Sequence, residues 1–210
     1  MQARIDALLV KARLPSGTGA ELRTIAAALS RQCLQPGERL QVAQALEQDL
    51  VYLYLHSATG VAMQNARRAA LEEALARLAP TLTQATTLRL ERVFDVRGAS
   101  SGATPLYHYA VEMDPEAGWL PAISDWYDEE HMPGLASVPG CIHASRYLNH
   151  DGGPLSLACY DLITPQTKGS PPWMVWTNTE WSSRMRPKFT NTLRTMFEVF
   201  HDHGQALPPQ

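Results

Sequence analysis

In the first half of the chain, RIDALLVKARL (residues 4–14) reads as a strand, although Ile5, Leu8, Leu9 and Ala12 also suit one face of a helix. Leu22, Ile25, Ala26, Leu29 and Cys33 recur at three- and four-residue steps and predict a helix that the Pro36-Gly37 pair ends. The runs ERLQVAQAL and DLVYLYLHSA predict a hairpin through Glu47-Gln48-Asp49. An alanine-rich helix is expected over residues 62–79, with Leu71, Leu75 and Leu78 on one side and Pro80 as its stop. Alternating TLRLERVFDV supplies a closing strand.

The second half repeats that order. PLYHYAVEM (105–113) alternates and is rich in Tyr and Val, so it predicts a strand, closed by Asp114-Pro115. Trp119, Leu120, Ile123, Trp126, Tyr127 and His131 then keep helical spacing, and Pro133-Gly134 is expected to end that helix. CIHASRYLN (141–149) and PLSLACYDLI (154–163) predict a hairpin, because Asp151-Gly152 and Gly152-Gly153 supply the positive φ of its turn. A loop carrying Trp173 and Trp176 leads to a helix with Asn178 or Thr179 as its N-cap, interrupted at Pro187. RTMFEVF suits a last strand.

Each half thus reads β-α-β-β-α-β, the ferredoxin-like split unit. One such unit covers only one face of its sheet with helices, so the other apolar face must be buried elsewhere. The fold class expected is therefore α+β: two tandem ferredoxin-like units forming an intramolecular α+β barrel able to hold a ligand. The segment DVRGASSGATP (95–105), rich in Gly, Ser and Ala, reads as the linker or long loop between a unit over residues 1–97 and one over 104–203.

Composition narrows the class. Of 210 residues 45% are hydrophobic and 19% charged, which excludes a disordered or collagen-like chain. With 18 basic against 21 acidic residues and no run of either sign, neither a nucleic-acid nor a membrane partner is expected. No stretch approaches a membrane span and the start shows no signal-peptide pattern, so a cytoplasmic location is expected. Cys33, Cys141 and Cys159 have neither CxxC nor Cys/His spacing, which favours reduced core thiols over zinc or disulfides. GxGxxG, Walker, HExxH and GxSxG motifs are absent, and the seven histidines mark no axial haem ligand, so no metal and no cofactor is expected.

WYDEEHMPGLASVPGCIHASRY (126–147), followed by PLSLACYDL, resembles the EthD-like members of the dimeric α/β-barrel superfamily. The shared pattern is an aromatic pair, an acidic stretch, a His-x-Pro helix end, Val-Pro-Gly, and a strand with an Arg-Tyr pair. The resemblance spans residues 105–200. It implies a ferredoxin-like barrel that binds small apolar or aromatic molecules between sheet and helices, in a superfamily of monooxygenases, ring isomerases, cyclases and dehydratases. The N-terminal half lacks the motif, so a degenerate partner unit with one motif-bearing site is expected.

The candidate chemistry lies in the same segment. His131 follows Tyr127 by four residues on an apolar helical face, where it could be a general base or merely cap the helix end. His108 alternates away from Tyr107, Tyr109, Val111 and Met113, whose face should meet the helices, so it is expected to look into the barrel, as a bonded core group or a base. Arg146 could clamp an anion, or pair with Asp161 or Glu112. Asp125, Asp128, Glu129 and Glu130 read as a solvated face, and the five tryptophans as core or dimer interface. The leading expectation is a cofactor-independent enzyme acting on a small apolar or aromatic carbonyl compound by proton transfer, as an isomerase, cyclase or lyase. His131 or His108 would be the base, Tyr127 or Tyr160 the oxyanion donor, Arg146 the clamp, and Trp126 and Tyr160 the pocket wall. The alternative is a non-catalytic binding or stress-response barrel that sequesters an apolar metabolite. Exposed Trp or Phe would favour a homodimer.

Overall fold

The strands and helices expected from the apolar pattern are present in the computed structural model, which describes residues 4–15, 19–57 and 61–201. The first half runs β1 (Ala7–Arg13), α1 (Gly19–Cys33), β2 (Arg39–Ala45), β3 (Leu50–His56), α2 (Asn65–Leu78) and β4 (Thr83–Arg97). The second runs β5 (Tyr107–Pro115), α3 (Leu120–Trp126), a π-helical turn (Tyr127–His131), α4 (Met132–Ala136), β6 (Cys141–Asn149) and β7 (Ser156–Leu162). A 3₁₀ turn (Pro165–Thr167), α5 (Pro171–Thr177), α6 (Glu180–Met185), a second 3₁₀ turn (Arg186–Lys188) and β8 (Phe189–Phe200) complete it.

The hydrogen-bonding order is β1-β3-β2-β8-β5-β7-β6-β4, closed into an eight-stranded antiparallel barrel, so the fold class is α+β as expected. Two compact units are distinguished: the described residues up to Glu91 with those from Phe197 on, and Arg92–Met196. These boundaries fall inside β4 and β8.

In the first unit, Leu8 and Val10 of β1 and Val51, Leu53 and Leu55 of β3 join Leu22, Ile25 and Leu29 of α1 and Leu71 and Leu75 of α2 in one core. Ala7, Leu9, Tyr52 and Tyr54 alternate with them onto the other face and are equally buried. A strand buried on both faces reads as a continuous apolar run, which explains why RIDALLVKARL could also be taken for a helix.

The second unit packs Tyr109 and Met113 of β5, Ala144 of β6, and Ala158 and Tyr160 of β7 against Ile123, Trp126, Leu135 and Trp173 of its helices. His108 and Glu112 alternate onto the opposite face and are buried there. The hairpin is as expected: Tyr147 pairs with Leu157 and Leu148 with Ser156, and Gly152 takes a φ of 119° in the turn. Thr179, one of the two N-cap candidates, is the cap of α6, its hydroxyl accepting from the Ser182 amide at 3.0 Å.

Two local expectations are corrected. First, Pro133-Gly134 does not end the helix, which continues through α4 to Ala136. Proline lacks an amide proton and crowds the carbonyl four residues back, and the wider π turn just before Pro133 relieves both. Second, the loop holding Trp173 contains α5, begun by Pro171 and Pro172 after Ser170. Proline is well placed in a first helical turn, where its missing donor has no partner to lose.

Residues 95–105, expected as a linker or long loop, are the end of β4 and a loop held against β6. β4 runs to Arg97, and the Gly98 and Ser100 amides donate to the Ile142 and Cys141 carbonyls, both at 2.8 Å. A side chain at Gly98 would place Cβ 2.2 Å from the Cys141 oxygen and 2.6 Å from its carbonyl carbon. Both are backbone atoms that cannot swing aside, so Gly98→Ala is expected to destabilise by at least ~2 kcal/mol in urea unfolding. An unchanged midpoint would contradict that close approach.

Candidate functional site

The helices of the second unit and the face of its sheet enclose a cavity of about 290 Å³. Tyr109 and Val111 of β5, Tyr160 of β7 and Phe189 of β8 supply the sheet side; Trp126, Tyr127, His131 and Leu135 supply the helix side, and Trp173, Met174 and Thr177 of α5 a further wall. The aromatic rings interlock. Tyr160 and Trp173 meet edge-on at 5.2 Å, Tyr109 and Trp173 at 6.2 Å, and Tyr127 stacks on Phe189 at 6.2 Å.

The π turn decides how His131 is presented. Residues five apart stand roughly 140° around an α-helix and cannot touch. The wider π turn, in which the Met132 amide bonds the Tyr127 carbonyl, brings Trp126 and His131 into a stack with ring centroids 4.2 Å apart. Tyr127 meets the same imidazole edge-on at 5.6 Å.

One ring nitrogen of His131 is bonded to the Trp176 backbone, while Nδ1 is buried without a partner. Burial, and after it the charge of Arg186, push His131 down to about 3, against a smaller upward effect of the Trp176 bond. The imidazole is therefore neutral at pH 7, with a lone pair on Nδ1. Gly134 permits this arrangement: a Cβ there would lie 2.3–2.7 Å from the Trp176 indole, so only glycine lets α5 approach α4 so closely.

Burial also pushes the hydroxyls of Tyr127 and Tyr160 well above their ordinary range, and that of Tyr109 upward. All three stay protonated and can donate hydrogen bonds. The Tyr160 hydroxyl lies 3.1 Å from the Met132 sulfur.

Lys168, Arg186 and Arg194 also line the cavity, and among the described residues no carboxylate does. Burial, then the charge of Arg194, lower the pKa of Arg186. The sequence reading missed these three, and also Tyr109, Trp173 and Phe189. The Ser170-Pro171-Pro172 helix start would have drawn attention to Trp173. Nothing in the local pattern marks Arg186 or Arg194, which are brought together only by the 3₁₀ turn and β8.

Of the residues singled out beforehand, Trp126, Tyr127, His131 and Tyr160 line this one cavity. Arg146 does not. It lies on the helix side of β6, its NH2 group 2.8 Å from Asp128, its NH1 group 3.4 Å from Ser124, and its guanidinium 5.4 Å over the Tyr127 ring. Its expected partners Asp161 and Glu112 belong to the opposite face of the sheet, out of reach. Two members of the acidic stretch are likewise engaged: Asp128 with Arg146, and Glu130 as acceptor for the Trp126 indole at 3.2 Å and the Thr179 hydroxyl at 2.6 Å. Asp125 and Glu129 are exposed, as expected.

His108 lies on the face away from the helices, also outside the cavity. Opposite it in register is Asp161, with His143 on the far side of Asp161. His108 Nδ1 lies 2.8 Å from Asp161, and His143 Nε2 lies 3.0 Å from Asp95. Burial alone would lower His108, but its hydrogen bonds to Asp161 and Cys159 outweigh this and hold it up at about 10. His108 is thus an ion-paired cation at neutral pH. Among the described residues no group of three or more His, Cys, Asp or Glu could hold a metal ion, and no helix is long and apolar enough to cross a membrane.

No family model matches the sequence, and no curated protein matches it. Solved structures do. An anthrone oxidase-like protein is 12% identical with a TM-score of 0.61, covering 93% of this chain and 92% of that one. A ferredoxin-fold protein from Listeria monocytogenes related to antibiotic biosynthesis monooxygenases is 10% identical, TM-score 0.55, covering 94% and 96%. A variant chlorite dismutase from Candidatus Nitrospira defluvii is 11% identical, TM-score 0.54, covering 92% of each. The chain shares the ferredoxin-like α+β-barrel fold of these structures. At these identities the likeness concerns the fold alone.

Proposed function

We propose that the chain is a small-molecule enzyme that binds an aromatic carbonyl compound in the cavity of the second unit and moves a proton at the carbon beside the carbonyl. The observation that carries this reading is Nδ1 of His131, a buried lone pair without a partner on a ring that lines an aromatic cavity. In the forward step Nδ1 takes the proton from the α-carbon, the C–H electron pair becomes the enolate, and negative charge develops on the carbonyl oxygen. The protonated tyrosines offer O–H donors to that oxygen. The imidazolium then returns its proton to carbon, completing an isomerisation or exchange without an oxidant. The names of fold relatives, an anthrone oxidase-like protein among them, agree with an aromatic substrate. An EthD-like assignment is favoured because Trp126, Tyr127 and His131 of the motif all contribute to the cavity wall.

The test is α-proton exchange of simple aryl ketones such as α-tetralone in D₂O, followed by NMR. Protein-dependent deuteration is the expected result. Binding without exchange would leave the sequestering barrel as the better account.

A further inference from the structure

The cavity is aromatic in its depth and cationic at its edge. Lys168, Arg186 and Arg194 are exposed residues that nevertheless line it, and Lys168 Nζ sits 5.2 Å over the ring of Tyr109. Among the described residues none of the three is ion-paired, in a chain whose acidic residues outnumber its basic ones, 21 to 18. Other surface cations here do have partners: Lys188 lies 3.1 Å from Glu116 and Arg92 3.2 Å from Asp95. Like charges gathered at one rim repel, and Arg186 is held below its ordinary pKa partly by Arg194. The same two arginines act on Tyr109 and Tyr127 and Arg186 on His131, so their charge converges on the floor of the cavity.

We infer that the substrate is an aromatic carbonyl compound carrying a carboxylate, with its ring on the tyrosine and tryptophan walls and its carboxylate held at the rim by Arg186 and Arg194. This rests on the reading proposed above and adds the charge of the substrate to it. Guanidinium suits the task because its planar fork matches a carboxylate bidentately. A volume of about 290 Å³ is at the small end for ligand sites, which fits a one- or two-ring acid.

The test compares three probes of one shape, 2-naphthoate, 2-naphthamide and 2-acetylnaphthalene, by isothermal titration calorimetry at low and high salt. The expected result is naphthoate binding at least ~10-fold tighter than the neutral probes, with the preference shrinking as salt rises. It should vanish in the double variant Arg186→Gln/Arg194→Gln, whose changes are at exposed positions, and shrink in each single variant. If the neutral ketone binds and naphthoate binds no better, the carboxylate inference is overturned while the aromatic-carbonyl reading stands. If none of the three binds, both fail. A naphthoate preference that survives the double variant would overturn the assignment to these arginines.

Discussion

Asp161→Asn is expected to destabilise the chain by roughly 3 kcal/mol at pH 7 and to remove a pH dependence that the wild type shows. His108 is buried against Asp161 at 2.8 Å, and removing the carboxylate breaks a buried ion pair and makes the imidazole give up its proton. The folded-state pKa of His108 stands at about 10, above the ordinary 6.5. The folded state therefore binds a proton that the unfolded chain releases between those values. Its contribution is fully present below pH 6.5 and is lost as the pH rises towards 10. In the variant the raising effect of Asp161 is gone and burial, the largest influence on this imidazole, works against the remaining effect of Cys159 and favours the neutral form, so this decline is lost. Urea unfolding at pH 6, 7.5 and 9.5 reads both effects. Parallel curves for the two proteins across that range would show that Asp161 does not hold His108 charged.

The second large effect is expected at His131. His131→Gln should lower the α-proton exchange rate by a factor of ~10²–10⁴, the range typical of losing a positioned base. Glutamine keeps an amide N–H able to reach the Trp176 carbonyl, so the structural bond can survive while the basic nitrogen does not. The histidine also carries a stability signature of opposite sign to that of His108. With a folded pKa of about 3, His131 stays neutral while its unfolded counterpart takes up a proton below 6.5. Stability therefore falls as the pH drops from 6.5 towards 3, and the variant should be flatter over that acid range. Undiminished exchange alongside a lowered melting temperature would make His131 a packing residue only.

These two histidines show where local pattern stops being informative. Strand alternation correctly put His108 on the face away from the helices, and helical spacing correctly put His131 beside Tyr127. Neither pattern distinguishes a charged imidazole from a neutral one. That depends on what stands across the sheet: Asp161 is 53 positions from His108 in the chain but its direct neighbour on β7. For His131 it depends first on burial, which a π turn that helical periodicity does not foresee helps to set, and then on Arg186, more than fifty residues away.

The sequence by itself determined most of the order of strands and helices, the β6–β7 hairpin with its glycine turn, an N-cap at Asn178 or Thr179 and the α+β class, because each rests on short-range rules: the two periods of apolar burial, proline's missing donor and glycine's freedom at positive φ. It also singled out four residues of the cavity wall, all within the motif or on the strand that follows it. Only the tertiary structure decided that Arg146 would be engaged by Asp128, that His108 would lie outside the cavity, and that Lys168, Arg186 and Arg194 would share a rim without an acid. The reason is physical: burial and charge act through space, and in a barrel the nearest neighbours of a side chain come from strands and turns far away in sequence.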